Sequence, residues 1–266
     1  MVTIKISQLW RQIVEELQHF SQAEPFIQPL VAELLQVDTL ASAVIAQLAH
    51  KLACPVFDRG ALSRMFTDVL THAIGYPAAV TADVLAVKQN DPACDYYATP
   101  LLFFKGFLAL QGYRFGHLLY LRGDRMTALW LQTRISEVFQ VDIHPAARLA
   151  QGIVIDHATG IVIGETAEVG QGVVMMQNVT LGGTGKERGD RHPKIGQGVF
   201  LGVGAKVLGN IHIGEYSKVG AGSIVLHSAP AYATLVGVPA KVVHHRIVLP
   251  TPPQTELVSC PVFDAS

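Results

Sequence analysis

The sequence predicts a segregated α+β chain: an all-α part over residues 1–140, a parallel β-helix of hexapeptide repeats over 141–245, and an extended tail over 246–266. Three observations predict it. An aliphatic residue recurs every six positions from Ile195, through Leu201, Val207, Ile213 and Val219 to Val225. The same beat sets Ile163, Val169, Met175 and Leu181, and an earlier phase sets Ile143, Leu149, Ile155 and Ile161. A period of six is neither helical nor that of a simple strand; it marks short flat strands stacked coil on coil into a prism. Second, composition changes at Val141, where Gly, Val and Ile rise and helix formers thin out. Third, the preceding residues carry apolar faces at helical spacing. The small residue after the aliphatic one, as at Gly196, Gly202, Gly214 and Gly220, is expected to let the chain turn each corner.

In order, Ser7 is placed to cap a helix with Trp10, Ile13, Val14, Leu17 and Phe20 on one face, ended or followed by a new start at Pro25. Leu40, Val44, Ile45, Leu48 and Leu52 form a second face, stopped by Pro55. Leu62, Met65, Phe66, Val69 and Leu70 form a third, ending at Gly75 and Pro77. The apolar stretch 101–121 is interrupted by Lys105, Gln111, Arg114 and His117, so it reads as a buried core helix and not a membrane span. Gly123 breaks the chain before a helix with Met126, Leu129, Trp130 and Val138. After Val225, the turn Gly237-Val238-Pro239-Ala240-Lys241 closes the last coil, and the proline-rich remainder is expected to hold little structure of its own.

Bulk numbers exclude several roles. With 266 residues, half of them hydrophobic, the chain can bury a core without disulfides. Twenty basic side chains against 21 acidic, with no basic block, argue against nucleic-acid or membrane-surface binding. Cys54, Cys94 and Cys260 are scattered and read as reduced thiols, which together with a first ten residues lacking a signal pattern points to the cytoplasm.

One break in the beat is informative. Leu181 and Ile195 are 14 positions apart, so one corner extrudes a loop of about eight extra residues, near 184–191. Insertions in repeat scaffolds map to loops, and loops carry function. The loop is no P-loop, because Thr180 and Glu187 stand where Gly and Ser or Thr are required.

Chemistry resides in the polar exceptions: Asp142, His144, Asp156, His157, Arg191 and His192. Aspartate near histidine is the raw material of general-base catalysis. Asp142 and His157 lie a little under one 18-residue coil apart, so they fall on neighbouring coils and can meet at a corner. A strand would send Asp156 and His157 to opposite faces. The competing reading, a corner histidine bonded to a backbone carbonyl, stays open for the pair and is preferred for His144 and His212. His144, His157, His192 and His212 supply enough imidazoles for zinc, but the carboxylates and Arg191 beside them suit a charged organic ligand, and no metal is expected.

Four motifs resemble the serine O-acetyltransferases, within the hexapeptide-repeat acyltransferases: Asp142-Ile143-His144-Pro145, Asp156-His157-Ala158-Thr159-Gly160, Val179-Thr180-Leu181-Gly182-Gly183-Thr184-Gly185-Lys186 and Asp190-Arg191-His192-Pro193-Lys194-Ile195. The resemblance extends to Asp91-Pro92-Ala93 and Thr99-Pro100-Leu101-Leu102, and covers about residues 5–245. It implies a left-handed β-helix, a homotrimer with active sites between neighbours, and a dimer of trimers through the helical part. It implies acetyl transfer from acetyl-CoA to the L-serine hydroxyl, the first step of cysteine biosynthesis, with no tightly bound cofactor. His157 would be the base and Asp142 its orienting carboxylate. Arg191 would pair with the substrate carboxylate, Asp91 and Asp156 would face the ammonium, and His192 would line the same pocket. Gly183, Thr184 and Ala221 match positions along the CoA groove, Val203 replaces a small residue there, and Lys218 and Lys241 are candidates for the CoA phosphates. Cysteine would be the feedback inhibitor in the serine pocket. Relatives that dock on O-acetylserine sulfhydrylase use a C-terminal isoleucine; this chain ends Phe263-Asp264-Ala265-Ser266, which speaks against docking, although the tail's length would permit it. Two alternatives remain: a hexapeptide acetyltransferase with another hydroxyl or amine acceptor, and a non-catalytic scaffold subunit.

Overall fold

The computed structural model describes residues 6–245; the expected tail lies outside them. Among the described residues, eight α-helices precede a left-handed parallel β-helix of about five turns. The helices are α1 (Ile6–Ala23), α2 (Gln28–Ala32), α3 (Leu40–Leu52), α4 (Arg59–Thr71), α5 (Tyr76–Asn90), α6 (Thr99–Phe103), α7 (Lys105–Arg122) and α8 (Arg125–Phe139). Ser7, expected as a cap, lies inside the first turn of α1. Thr39 caps α3 through Ser42 N–H and Asp58 caps α4 through Ala61 N–H. Helix α5 begins where the sequence predicts a stop, at Pro77. The proline sits in the first turn, where its missing N–H costs no helical bond.

The first coil carries β1 (Val141–Ile143), β2 (Arg148–Leu149) and β3 (Val154–Ile155). Further coils carry β4 (Ile161–Ile163), β5 (Glu168–Val169) and β6 (Val174–Met175), then β7 (Thr180–Gly182), β8 (Lys194–Ile195) and β9 (Phe200–Leu201). Above them come β10 (Lys206–Leu208), β11 (His212–Ile213), β12 (Lys218–Val219) and β13 (Ile224–Val225), and β14 (Ala233–Gly237) with β15 (Ala240–His245) closes the prism as a hairpin. The first face stacks β1-β4-β7-β10-β13, the second β2-β5-β8-β11 and the third β3-β6-β9-β12-β14-β15. The aliphatic residues of the six-residue beat point inward and are all buried.

Two expectations are corrected at the corners. The glycine after the inward aliphatic does not make the turn: a Cβ on Gly196 would lie 2.7 Å from Glu215 N, so it is small because the next coil passes directly over it. The left-handed residue comes two positions later, at Gly198 with φ +63°. The phase change between Ile155 and Ile163 marks two extra residues at the corner that holds Asp156 and His157. There Asp156 and His157 lie beyond the strand, so alternation between faces no longer applies.

The helices dock on the first coil through α5, α7 and α8. Asp83, fully buried, accepts from Arg114 Nε (2.9 Å) and Nη2 (3.0 Å), from Gln111 Nε2 (2.9 Å), and from Gly152 and Ile153 N–H. Arg114 also donates to Ala150 O. Every charge is thereby paired and hydrogen-bonded, as burial demands. A Cβ on Gly106 would fall 2.0 Å from Ile155 O, so α7 lies directly on the coil. Among the described residues no single helix is long and apolar enough to cross a membrane.

Candidate active site

Apart from Asp142, in the middle of β1, the charged exceptions fall at the two edges of the first face. At the corner from third face to first, His157 (φ +54°) and Ala158 (φ +61°) are both left-handed, and Ala158 N–H bonds Asp156 O while Thr159 N–H bonds His157 O. Such backbone persists only where its surroundings over-determine it. Here Ala158 is buried beneath Gly106, and Lys105 Nζ donates to Thr159 Oγ1 at 2.5 Å. The corner thus presents an exposed imidazole on a fixed backbone, with Asp156 Oδ1 3.9 Å from its Nε2.

Asp91 ends α5 and opens a loop anchored to the same side. Its Oδ1 accepts from Ala93 N–H, Cys94 is buried against Val87 and Val154, and Lys88 Nζ donates to Cys94 O. Glu16 Oε2 accepts from Ala98 N–H at the far end of the loop. Val154 precedes Asp156 by two residues, so the loop that Asp91 opens packs on the strand leading into that corner.

At the opposite edge, from first face to second, Thr166 organises the root of the extruded loop. Its Oγ1 accepts from Arg191 N–H (3.0 Å) and His192 N–H (3.1 Å), while Thr166 N–H donates to His192 Nδ1. Nδ1 is therefore an acceptor, and Nε2 carries the proton of the neutral ring. Burial, with Arg191 adjacent, pushes the His192 pKa down. Arg191 Nη2 donates to Glu165 Oε2 at 2.7 Å, and this bond holds the Glu165 carboxyl below its ordinary value. Burial lowers His144 as well, against the opposing pull of Glu165 and Asp142. Its Nδ1 accepts from Ala146 N–H, a bond to backbone but to an amide and not to the carbonyl expected. Lys194 Nζ donates to Asp190 Oδ1 and Thr166 O, both at 2.5 Å, and Asn210 Nδ2 donates to Asp190 O. The loop stem is pinned from below and above.

Asp142 faces outward on β1, where Gln132 Nε2 donates to its Oδ1 at 2.6 Å. The expected meeting with His157 is not made within one chain: the two stand on neighbouring coils with no bond between them. The first face is three residues wide, about 10 Å at ~3.3 Å per residue, and separates the edges. The CoA candidates divide likewise. Val203 and Ala221 lie in the column above His157, joined by Gly222 N–H to Val203 O at 2.7 Å. Gly183 packs against Arg191 and His192 with exposed Thr184 beside it, Lys218 is exposed on the third face, and Lys241 is on the closing hairpin. Sequence reasoning missed Glu165, Thr166, Gln132 and Lys105; each acts through a partner at least ten positions away and outside the six-residue beat. Among the described residues no group of three His, Cys, Asp or Glu is arranged to hold a metal ion.

A family profile described as "Serine acetyltransferase, N-terminal" matches residues 9–112, and "Bacterial transferase hexapeptide (six repeats)" matches 192–227. The serine acetyltransferase of Salmonella typhimurium is 48% identical over 236 residues, covering 88% of this chain and 86% of that protein. The Neisseria gonorrhoeae serine acetyltransferase in complex with serine superposes with TM-score 0.86 at 46% identity, over 90% of this chain and 98% of that one. The Brucella abortus enzyme in complex with coenzyme A gives 0.87 at 43%, over 89% and 95%. A serine acetyltransferase in complex with cysteine gives 0.87 at 44%, over 89% and 98%. A relative this similar over nearly the whole length, on the same two-part fold, means that the chain belongs to the serine acetyltransferase family.

Proposed function

We propose that the chain is a cytoplasmic enzyme that transfers the acetyl group of acetyl-CoA to the hydroxyl of L-serine, giving O-acetyl-L-serine and CoA for cysteine synthesis. The observation that carries this is family membership with serine- and coenzyme A-bound relatives, joined to the charge division across the first face. His157 takes the proton of the serine hydroxyl as that oxygen attacks the thioester carbon, and returns it to the CoA sulfur as the carbon–sulfur bond breaks. Unassisted, the hydroxyl is a poor nucleophile, so a positioned base is needed. Asp142 orients the imidazole. Arg191 pairs with the serine carboxylate, sharing its guanidinium with Glu165, because its planar fork carries five N–H donors. Asp91 and Asp156 face the ammonium, and His192 donates from Nε2. Acetyl-CoA runs along Val203, Ala221, Gly183 and Thr184, with Lys218 and Lys241 toward its phosphates.

The two edges of the first face lie apart in one chain, so the site is completed between copies. Three chains with their first faces toward a common axis bring the His157 corner of one to the Arg191 corner of the next. The helical parts join two such trimers. Cysteine, which shares the ammonium and carboxylate of serine, is the feedback inhibitor.

Thiol release from acetyl-CoA, compared across L-serine, homoserine and amino sugars, tests the reaction. L-Serine should be preferred, and cysteine should compete with it. Equal rates with the other acceptors would contradict the reading, and no release with any would leave a scaffold subunit.

A further inference from the structure

Asp142 is held by a residue of the helical part. Gln132 lies on α8, where that helix packs against β1, and its surroundings at the seam include the apolar Ala128, Ile135, Ile143 and Pro145. From this partly buried position its Nε2 reaches Asp142 Oδ1 at 2.6 Å. An ionised carboxylate only accepts, so the amide nitrogen must face it, and the oxygen's orientation follows. With Oδ1 occupied, Oδ2 is left to accept from an imidazole N–H. An aspartate side chain on an open strand otherwise turns between rotamers.

We infer that Gln132 is a positioning residue for the reaction: its amide fixes the Asp142 carboxylate in the orientation that steadies the catalytic imidazole. This rests on the proposed base–carboxylate pair. Gln132 touches no substrate, so losing it should slow turnover without weakening binding. A hydrogen bond to a charged group sets the scale, and Gln132→Leu should lower kcat about ten-fold with both KM values unchanged.

The decisive experiment is a double-mutant cycle with Asp142→Asn, which reports coupling and not general damage. Gln132→Leu should cost about ten-fold in the wild-type background and nothing further in Asp142→Asn. Gln132→Glu supplies a second readout and nearly preserves shape. Two facing carboxylates repel until one is protonated, so the kcat ratio of Gln132→Glu to wild type should rise as pH falls. An equal cost of Gln132→Leu in both backgrounds, or full kcat in Gln132→Leu, overturns the inference while leaving the Asp142 role intact. If Gln132→Leu does not fold, a pH-independent Gln132→Glu ratio overturns it. Full kcat in Asp142→Asn alone overturns the base–carboxylate reading and this inference together.

Discussion

His157 is exposed, left-handed and set where two extra residues enlarge a corner. Histidine tolerates that conformation better than most side chains, but a corner of this kind is kept only where something requires it. His157→Asn should leave the fold unchanged and lower kcat by about two to four orders of magnitude, the usual contribution of a positioned base. A near-normal rate would remove His157 from that role. Arg191→Ala should act differently, raising the serine KM about ten-fold or more with a smaller change in kcat, because it removes a charge-assisted bond to the substrate. Unchanged serine dependence would contradict the carboxylate role. At this scale the sequence was readable where charge interrupts the aliphatic beat, hence Asp156, His157, Arg191 and His192. It was silent on Thr166 and Glu165, which are ordinary corner residues until the loop folds back on them.

The helices matter through their docking on the first coil. Gly106→Ala would drive a methyl group into Ile155 O, a backbone atom that cannot swing aside. It should cost about 2 kcal/mol or more in chemical denaturation. Asp83→Ala would strand a buried guanidinium and two N–H groups, at about 3–5 kcal/mol. His117, on α7, has its Nδ1 2.7 Å from Pro145 O, and burial lowers its pKa. A histidine that titrates lower when folded binds fewer protons in the native state, so stability is full above its unfolded value near 6.5 and falls as pH drops below it. Melting temperature should therefore decline toward pH 5, and less steeply in His117→Gln. Periodicity exposed α3, α4, α8 and the buried stretch within α7. It missed α5, whose opening proline looks like a terminator until the first-turn exception is considered. The β-helix was the most legible element, since one inward residue per flat strand imposes a period found in no other structure. The corner glycines are small for close approach of the next coil and not for the turn. Their spacing is visible in sequence, but the backbone of the next coil passing overhead is not.

At the scale of the whole molecule, the helical part and the prism share one continuous core, and Cys94, in the loop that Asp91 opens, packs against Val154 two residues before the group formed by Asp156 and His157. What one chain does not do is bring this group to Arg191 and His192. Nothing in a single sequence states how copies associate; the expectation of a trimer came from resemblance, and the divided first face gives it a physical purpose. Each copy carries His157 at one edge and Arg191 at the opposite edge of the same sheet. The most direct measurement mixes His157→Asn and Arg191→Ala subunits, refolded together and assayed at serine well below saturation, where each variant alone is nearly silent. In random trimers about a quarter of the sites pair an intact His157 edge with an intact Arg191 edge, so activity should recover to roughly a quarter of wild type. No recovery above the separate variants would show that each site is built within one chain.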